Sequence, residues 1–337
     1  MTPKVSILVP IYNVSAYIEK CAHSLFRQTF EDIEYIFVND NTPDDSIEKL
    51  KSTIQHYPNR EKNIKIISHE ENQGLAAARK TALKAASGEY VSVVDSDDFV
   101  ELDMIESMYR IAKEDNADIV VSDMFIDYPG KSTIYIDTVS PENEENLANI
   151  LACENTSPSL CNKLIKRDFW IEFNIFAPQE ISYFEDRYVI THLYFYAKKI
   201  SKTNKAFYHY THSNINAITR VKTEIHFENV ILFWKLMDDF LKKTGTYTKH
   251  EDIVNLAKIR SKVRLIIDTN SYSLRKKYYF MFRDFEMKYI HNFRRGEKIM
   301  LFFIHYKLFF LAQLFYKVLL YKNRNAKNIY FIFASNE

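Results

Sequence analysis

Short apolar runs alternate with amphipathic stretches of helical period over the first 125 residues, and few folds accept that pattern. Val5–Val9, Ile33–Val38, Ile64–Ser68, Glu89–Val94 and Asp118–Val121 read as strands. Ser15–Arg27, Thr42 to about Tyr57, Leu75–Ala86 and Leu102–Glu114 read as helices between them. This alternation predicts right-handed βαβ units and an α/β fold with a mainly parallel central sheet. Pro10 is expected to end the first strand, and Thr42-Pro43-Asp44-Asp45 reads as an N-cap with proline in the first turn. Ligands of such sheets bind at the carboxyl ends of the strands. That directs attention to Asn39-Asp40 after the second strand and Asp95 to Asp98 after the fourth.

Glycine narrows the choice. The five glycines are Gly74, Gly88, Gly130, Gly245 and Gly296, and none lies near the first strand. A glycine-rich phosphate loop of the dinucleotide or P-loop type is therefore excluded there. The three cysteines, Cys21, Cys153 and Cys161, have neither disulfide-framework nor metal-ligand spacing and fit a reducing compartment. The run from Val5 to Tyr12 is short and interrupted by Pro10, unlike a signal peptide, so the expected location is cytoplasmic.

"VVDSDD", residues 93–98, closes an apolar run with three carboxylates in four residues. One reading is an acidic helix start, with Asp97 and Asp98 at the positive end of the helix that follows. The other is a cation site, in which Asp95 and Asp97 hold magnesium or manganese whose shell is finished by water and substrate phosphates. The small Ser96 between them would let a nucleotide approach.

Four segments occur in order: "VSILVPIYN" (5–13), "IEYIFVND" (33–40), "NQGLAAARKTALKAASGEYVSVVDSDDF" (72–99) and "YFEDRY" (183–188). Together they resemble the family 2 glycosyltransferases of the GT-A fold, inverting enzymes that use nucleotide-sugar donors. The resemblance runs over about residues 4–125, weakens to about 220 and is absent beyond. It implies a UDP-sugar donor and a divalent cation. By position, it implies that Asp40 binds the uracil base and that Pro10, Ile11 and Tyr12 contact the nucleoside. Arg79 would lie near the base and phosphates, Asp95 beside the ribose and donor sugar with Ser96 next to it, and Asp97 on the cation. Asp98, the extra acid, is assigned to the start of the following helix. Glu185-Asp186 matches the pair that supplies the catalytic base, with Asp186 preferred and Glu185 second; the alternative is an ordinary helix start. Asn162-Lys163-Leu164 resembles a segment that shapes the acceptor side, against the alternative of a surface lysine. His209 and His212 fall near the rim. His212 is the candidate metal or phosphate contact, against the alternative of a packed or solvated ring.

The chain departs from the family at three places. Val38-Asn39-Asp40-Asn41-Thr42 replaces "VDDGS", Lys80 follows Ala78-Arg79 where relatives have Asn, and Asn216-Ala217-Ile218-Thr219-Arg220 replaces a segment that closes on the donor. These changes leave a non-catalytic nucleotide-sugar-binding partner subunit as an alternative, opposed by the retention of Asp95, Asp97 and Asp186. A sugar-phosphate nucleotidyltransferase is a further alternative. It needs a glycine-rich loop where this chain has Pro10-Ile11-Tyr12-Asn13.

Charge separates two regions. Residues 1–220 hold 23 Lys and Arg against 33 Asp and Glu, and residues 221–337 hold 22 against 11. The expected division is a catalytic domain over 1–220 (nucleotide-sugar half about 1–125, acceptor half about 126–220) and a basic, aromatic-rich helical region over 221–337. Residues 299–321 read as one long apolar helix with His305, Gln313 and Lys317 on one face and Lys307 off it. Basic residues flank it, so 294–327 is expected to lie on an anionic membrane surface, on the cytoplasmic face of the inner membrane. Packing on the catalytic domain or on a second copy in a homo-oligomer is the alternative. Nucleic acid is excluded as a partner: basic charge alone gives nonspecific affinity, and no RNA- or DNA-binding module is present. The acceptor implied by the resemblance is a saccharide or lipid-linked saccharide, in surface polysaccharide or glycoconjugate assembly.

Overall fold

Strand β1 (Val5–Ile11) is buried along its whole length, as a run lacking polar alternation must be when both sheet faces are covered. The computed structural model describes residues 2–152, 156–214 and 224–322. The chain forms two compact units, one of residues 1–147 and 156–217, the other of 148–155 and 218–337.

In the first unit β1 is followed by α1 (Ile18–Phe26), β2 (Ile33–Asn39), α2 (Ser46–Ile54), α3 (Pro58–Glu61), β3 (Ile64–Ser68), α4 (Leu75–Ala85) and β4 (Tyr90–Val93). Then come β5 (Phe99–Val100), α5 (Met104–Glu114), β6 (Ile119–Tyr128), β7 (Lys131–Tyr135) and α6 (Asn143–Ala152), the last of which belongs to the second unit from Ala148 on. β8 (Lys163–Lys166), α7 (Arg167–Glu172), α8 (Glu185–Tyr196) and β9 (Ile200–Thr211) complete the first unit. The sheet order is β3-β2-β1-β4-β8-β6-β9-β5, with β7 paired to β6. β3, β2, β1 and β4 are parallel, as are β6 and β9; β8 inserts antiparallel between β4 and β6.

Pro10 does not end the first strand, which runs on to Ile11. The reason is directional. Ile11 O accepts from Asp40 N on the β2 side, whereas Leu8 O accepts from Val94 N on the β4 side. Pro10 shares the orientation of Leu8, and the β4 register ends at Leu8 opposite Val93. The missing N–H therefore falls where no ladder bond is required. The second helix starts later than its cap signal implied. Asp44, not Thr42, gathers the turn: its carboxylate accepts from Ser46 N (3.2 Å), Thr42 Oγ1 (2.7 Å) and Ser15 N (2.8 Å). β8 and β7 have no counterpart among the strands read from the sequence.

The second unit is helical: α9 (Glu224–Lys243), α10 (Tyr247–Asp268), α11 (Tyr272–Tyr279), α12 (Arg283–Glu286), α13 (Arg295–His305) and α14 (Phe309–Lys322). Its buried charges are paired, with Lys258 Nζ on Asp238 (2.5 Å), Arg260 Nε on Glu297 (3.0 Å) and Lys262 on Glu286. The expected single helix over 299–321 is two helices, broken where Lys307 takes φ +60°. Gln313 is not on an outward polar face: its Nε2 donates to Ile267 O (2.7 Å) in the last turn of α10 and to Thr269 O (3.2 Å) just beyond it. Among the described residues no helix is long and apolar enough to cross a membrane.

Candidate active site

The parallel half of the sheet brings Asp40 and the Asp95–Asp98 turn to one edge, at the carboxyl ends of β2 and β4. Asp40 is buried, and its carboxylate shapes the loop that enters α4. Oδ1 accepts from His69 Nδ1 (2.7 Å) and Gln73 N (2.9 Å), and Oδ2 from Gly74 N (2.8 Å). Gly74 has φ +87°, a conformation costly for a side chain, so the glycine lets its N–H turn onto the acid. His69 also meets Thr81 Oγ1 through Nε2 (2.9 Å). Sequence reasoning passed over His69; its place one residue after β3, beside the end of β2, was the available signal. Pro10 is buried and Tyr12 is 48% exposed at the end of β1.

The acidic turn is organised from β9. Tyr208 Oη accepts the Asp95 N–H (3.1 Å) and donates to Asp98 Oδ2 (2.6 Å), while Asp98 Oδ1 accepts from Thr211 N (2.7 Å). Asp98 is therefore not serving a helix start. The next helix begins at Met104, and Asp98 is buried with its carboxyl pushed up by burial and by the charges of Asp97 and Asp95. Asp97 accepts from Asn214 Nδ2 (2.8 Å), and burial together with Asp95 raises its carboxyl too. Ser96 is buried in the turn. Tyr208 and Asn214 were missed by sequence reasoning. Tyr208 was visible as an inward position of an alternating strand; Asn214 carried no local signal.

Arg79, on α4, joins this turn to α8. Its Nη2 donates to Asp95 Oδ1 (2.8 Å), and its Nη1 donates to Glu185 Oε1 (3.0 Å) and to Asp186 Oδ1. Arg79 is itself buried and held charged by Asp186, Asp95 and Glu185 against the cost of desolvation. Asp186 Oδ2 accepts from Leu160 N (3.1 Å). Burial and the Asp186 charge push the Glu185 carboxyl up to about 7. Asp186 is also raised, by burial, although Arg79 opposes the shift. The residue before the pair, Phe184, has φ +75°, so the backbone turns through a disfavoured conformation to present both acids in the first turn of α8.

Lys163 is fully buried and not a surface lysine. Its Nζ donates to Ser157 O (2.9 Å), Ser159 O (2.7 Å) and Asn162 Oδ1 (2.7 Å), and burial lowers its basicity. Asn162 in turn donates to Asp137 Oδ2 (2.8 Å) and Ser122 O (2.7 Å). This network braces the 157–160 loop whose Leu160 N–H reaches Asp186.

The structure thus brings together Asp95, Glu185 and Asp186 through Arg79, with Asp97 and Asp98 in the same turn as Asp95. Asp40 stands at the neighbouring strand end in its own hydrogen-bond set. His212 does not join the acids in a three-ligand set; its ring stacks on Tyr128 (4.5 Å between centroids) and meets Tyr210 edge-on (5.0 Å). Among the described residues no cluster of three or more His, Cys, Asp or Glu side chains is disposed to hold a metal ion. His209 lies between Phe99 and Phe125, with its two ring nitrogens on Asp127 and Glu101 (2.8 Å each). Residues 216–220 lie outside the described residues. The arrangement can hold a cationic or hydrogen-bonding ligand beside Asp95 and Asp97 and accept a proton at Asp186.

The sequence model of glycosyl transferase family 2 matches residues 6–172. EpsH of Bacillus subtilis (strain 168), a glycosyltransferase by its name, is 30% identical over 250 residues, covering 72% of this chain and 71% of that protein. A poly(ribitol-phosphate) beta-glucosyltransferase of Bacillus spizizenii is 31% identical over 211 residues, 61% of this chain but 32% of that protein. The crystal structure of S. aureus TarS 1-349 in complex with UDP superposes with a TM-score of 0.66 at 20% identity, covering 96% of this chain and 93% of that one.

Proposed function

Since the chain belongs to the family 2 glycosyltransferases and carries the GT-A fold followed by a helical C-terminal region, we propose that it moves a hexosyl or N-acetylhexosaminyl group from a UDP-sugar to a saccharide acceptor, free or lipid-linked, with inversion. The observation that carries the reading is the convergence of Asp95, Glu185 and Asp186 on Arg79. It supports a proton acceptor at Asp186 close to Asp95, the kind of pairing that a base-assisted displacement uses.

In that reaction the acceptor oxygen bonds to the anomeric carbon, and the bond from that carbon to the diphosphate breaks with departure of UDP. The hydroxyl proton passes to Asp186. Asp186 suits this role better than Glu185 because charge-assisted donors meet both of its oxygens, from Arg79 and from Leu160 N–H. Glu185, pushed up to about 7 by burial and the Asp186 charge, is the second candidate. Asp40 Oδ2 accepts one N–H and retains capacity for the imide N–H of uracil. Pro10, Ile11 and Tyr12 flank the nucleoside, and Asp95 with Ser96 faces the ribose and donor sugar.

Two carboxylates, not a three-ligand cluster, would suit a divalent cation that takes the rest of its shell from the donor and water. Asp95, Glu185 and Asp186 set three carboxylates on one guanidinium, and Asp97 and Asp98 add two more in the turn beside Asp95, an acidic surplus that another cation would offset. Asp97 and Asp95 would hold magnesium or manganese, with phosphate oxygens and water completing the shell. Bound there, the ion would neutralise charge on the departing diphosphate. The named relatives favour surface polysaccharide or glycoconjugate assembly as the setting, and TarS with UDP favours uridine in the donor.

Asp186→Asn tests the assignment. Turnover of UDP-sugar should fall to background while UDP affinity stays within a few fold. Wild-type turnover by the variant would remove Asp186 as the base. Cation-dependent UDP binding without turnover of any UDP- or GDP-sugar by the wild type would favour a binding subunit.

A further inference from the structure

We propose that the outer face of α13 and α14 is a docking surface for an anionic lipid bilayer. The two helices pack on each other, with Gly296 against Leu319 and Phe303 near Phe315 (6.2 Å between centroids). Met300, Leu301, Ile304, Phe309 and Ala312 are buried. The remaining positions would ordinarily be polar, as on any helix pair at a protein surface. Here they are apolar. Phe302 is 54% exposed, Tyr306 60%, Phe310 71% and Leu314 47%, with Leu311 and Val318 alongside. Their spacing, 302 on α13 with 306 just past its end and 310 to 314 to 318 on α14, lines up the exposed apolar side chains.

Charge selects the occupant. The exposed charged residues among these positions are Lys307, at the break between the helices, and Lys317 on α14. Arg294 and Arg295 are exposed at the start of α13. No Asp or Glu occurs anywhere from 298 to 336. A protein partner or a second copy would meet exposed aromatics ringed by one sign of charge, and a symmetric pairing would bring like charges together. An anionic bilayer satisfies both components: apolar side chains enter the headgroup boundary and the basic groups meet lipid phosphates. With 11 and 14 residues, the helices suit lying along the interface rather than crossing it. The break at Lys307 lets two short helices follow the surface and leaves that lysine exposed, its Nζ 5.3 Å from the Tyr279 ring centroid, whereas Gln313 is satisfied inside the protein.

The test uses the full chain and flotation with vesicles of pure phosphatidylcholine or of phosphatidylcholine with phosphatidylglycerol. Wild type should float with the anionic vesicles, weakly with the neutral ones, and less at high salt. Phe310→Ser combined with Leu314→Ser, at exposed positions where folding does not depend on them, should lower the bound fraction about tenfold. Lys307→Glu combined with Lys317→Glu should remove the preference for anionic lipid. Circular dichroism and UDP affinity check that each variant is folded. The proposal is overturned if wild type stays unbound to anionic vesicles, or if both variants float like wild type. It is also overturned if the serine variant changes sedimentation from dimer to monomer while vesicle binding is absent throughout, which would assign the face to a second copy. Donor hydrolysis in solution reads the transfer function separately, so either reading can fail alone.

Discussion

Arg79 donates from one nitrogen to both Glu185 and Asp186 and from the other to Asp95, so one guanidinium ties the turn after β4 to the first turn of α8. The family resemblance implied a place for it beside the base and phosphates. Its contacts also suit a positioning role, fixing Glu185 and Asp186 at a set distance from Asp95. Arg79→Lys keeps a charge but loses the fork that reaches two segments at once. Turnover should fall roughly 100-fold with UDP affinity changed only a few fold, and Arg79→Met should fall further. If isothermal titration instead shows UDP affinity dropping as far as turnover, Arg79 is a nucleotide ligand.

The raised acids at 185 and 186 set a pH dependence for the rate. Proton acceptance needs an ionised carboxylate, and burial raises both groups. The acidic limb of the kcat profile should therefore lie above the ordinary carboxylate range. Glu185→Gln removes a like charge from beside Asp186 and should move that limb to lower pH. A limb near pH 4 in the wild type, or one that moves upward in the variant, would contradict the assignment.

Much of this arrangement was legible from the sequence because it depends on period and on ends of strands. The parallel half of the sheet followed from apolar runs such as Val5–Val9 and Ile33–Val38, whose burial on both faces leaves a signal in each residue. Asp40 and Asp95 were found by their position just past such runs. β8 was not found, because Lys163-Leu164-Ile165-Lys166 is too short to show a period and its pairing with β4 and β6 is long-range. Asp98 was misassigned for a related reason. Its partners, Tyr208 and Thr211, lie more than 100 residues away, while the local pattern of acids resembles a helix start. The long apolar stretch at 299–321 concealed its own break, since Lys307 at φ +60° follows from packing and not from a Gly or Pro.

Tyr208 gives a direct measure of what β9 does for the acidic turn. Its hydroxyl accepts from Asp95 N and donates to the buried Asp98 carboxyl. Tyr208→Phe leaves the ring packing but strands the N–H and a carboxylate oxygen. The expected cost is about 1–3 kcal/mol of unfolding free energy, with weaker UDP binding because the turn loosens. Unchanged stability and unchanged UDP affinity would mean that the turn is held by other contacts.

Glu34, on β2, makes a second, structural prediction about pH. Burial alone would raise its carboxyl, but hydrogen bonds from Lys65, Ser6 and Ser87 outweigh burial and lower it below its ordinary value of 4.5. A group depressed in the folded state stabilises the protein above its unfolded pKa and loses that contribution as pH falls through the folded value. Glu34→Gln should therefore lower stability at neutral pH and flatten its decline below about pH 4.5. Parallel denaturation curves for the two proteins from pH 7 to 3, offset by a constant, would refute this.

Gly88 sits beside the same acid, and its substitution should be more damaging than any of these. Its N–H donates to Ser6 Oγ (2.9 Å) and approaches Glu34 Oε1 (3.2 Å), drawing the turn before β4 tightly onto β1. A Cβ at this position would lie 2.6 Å from Ser6 N, 2.6 Å from Ser6 Oγ and 2.8 Å from Val5 C. Two of those atoms are backbone in a central strand paired on both sides, so they cannot give way as a flexible side chain would. The turn itself must move, breaking its bonds to Glu34 and Ser6 and shifting β4 in register toward the Asp95 turn. Gly88→Ala should therefore cost at least the roughly 1–3 kcal/mol typical of overpacking. It should appear as a lower denaturant midpoint with an unchanged slope. Because β4 leads directly into Asp95, UDP affinity should fall as well; a variant with wild-type midpoint and wild-type UDP affinity would show that the turn relaxes without disturbing the sheet.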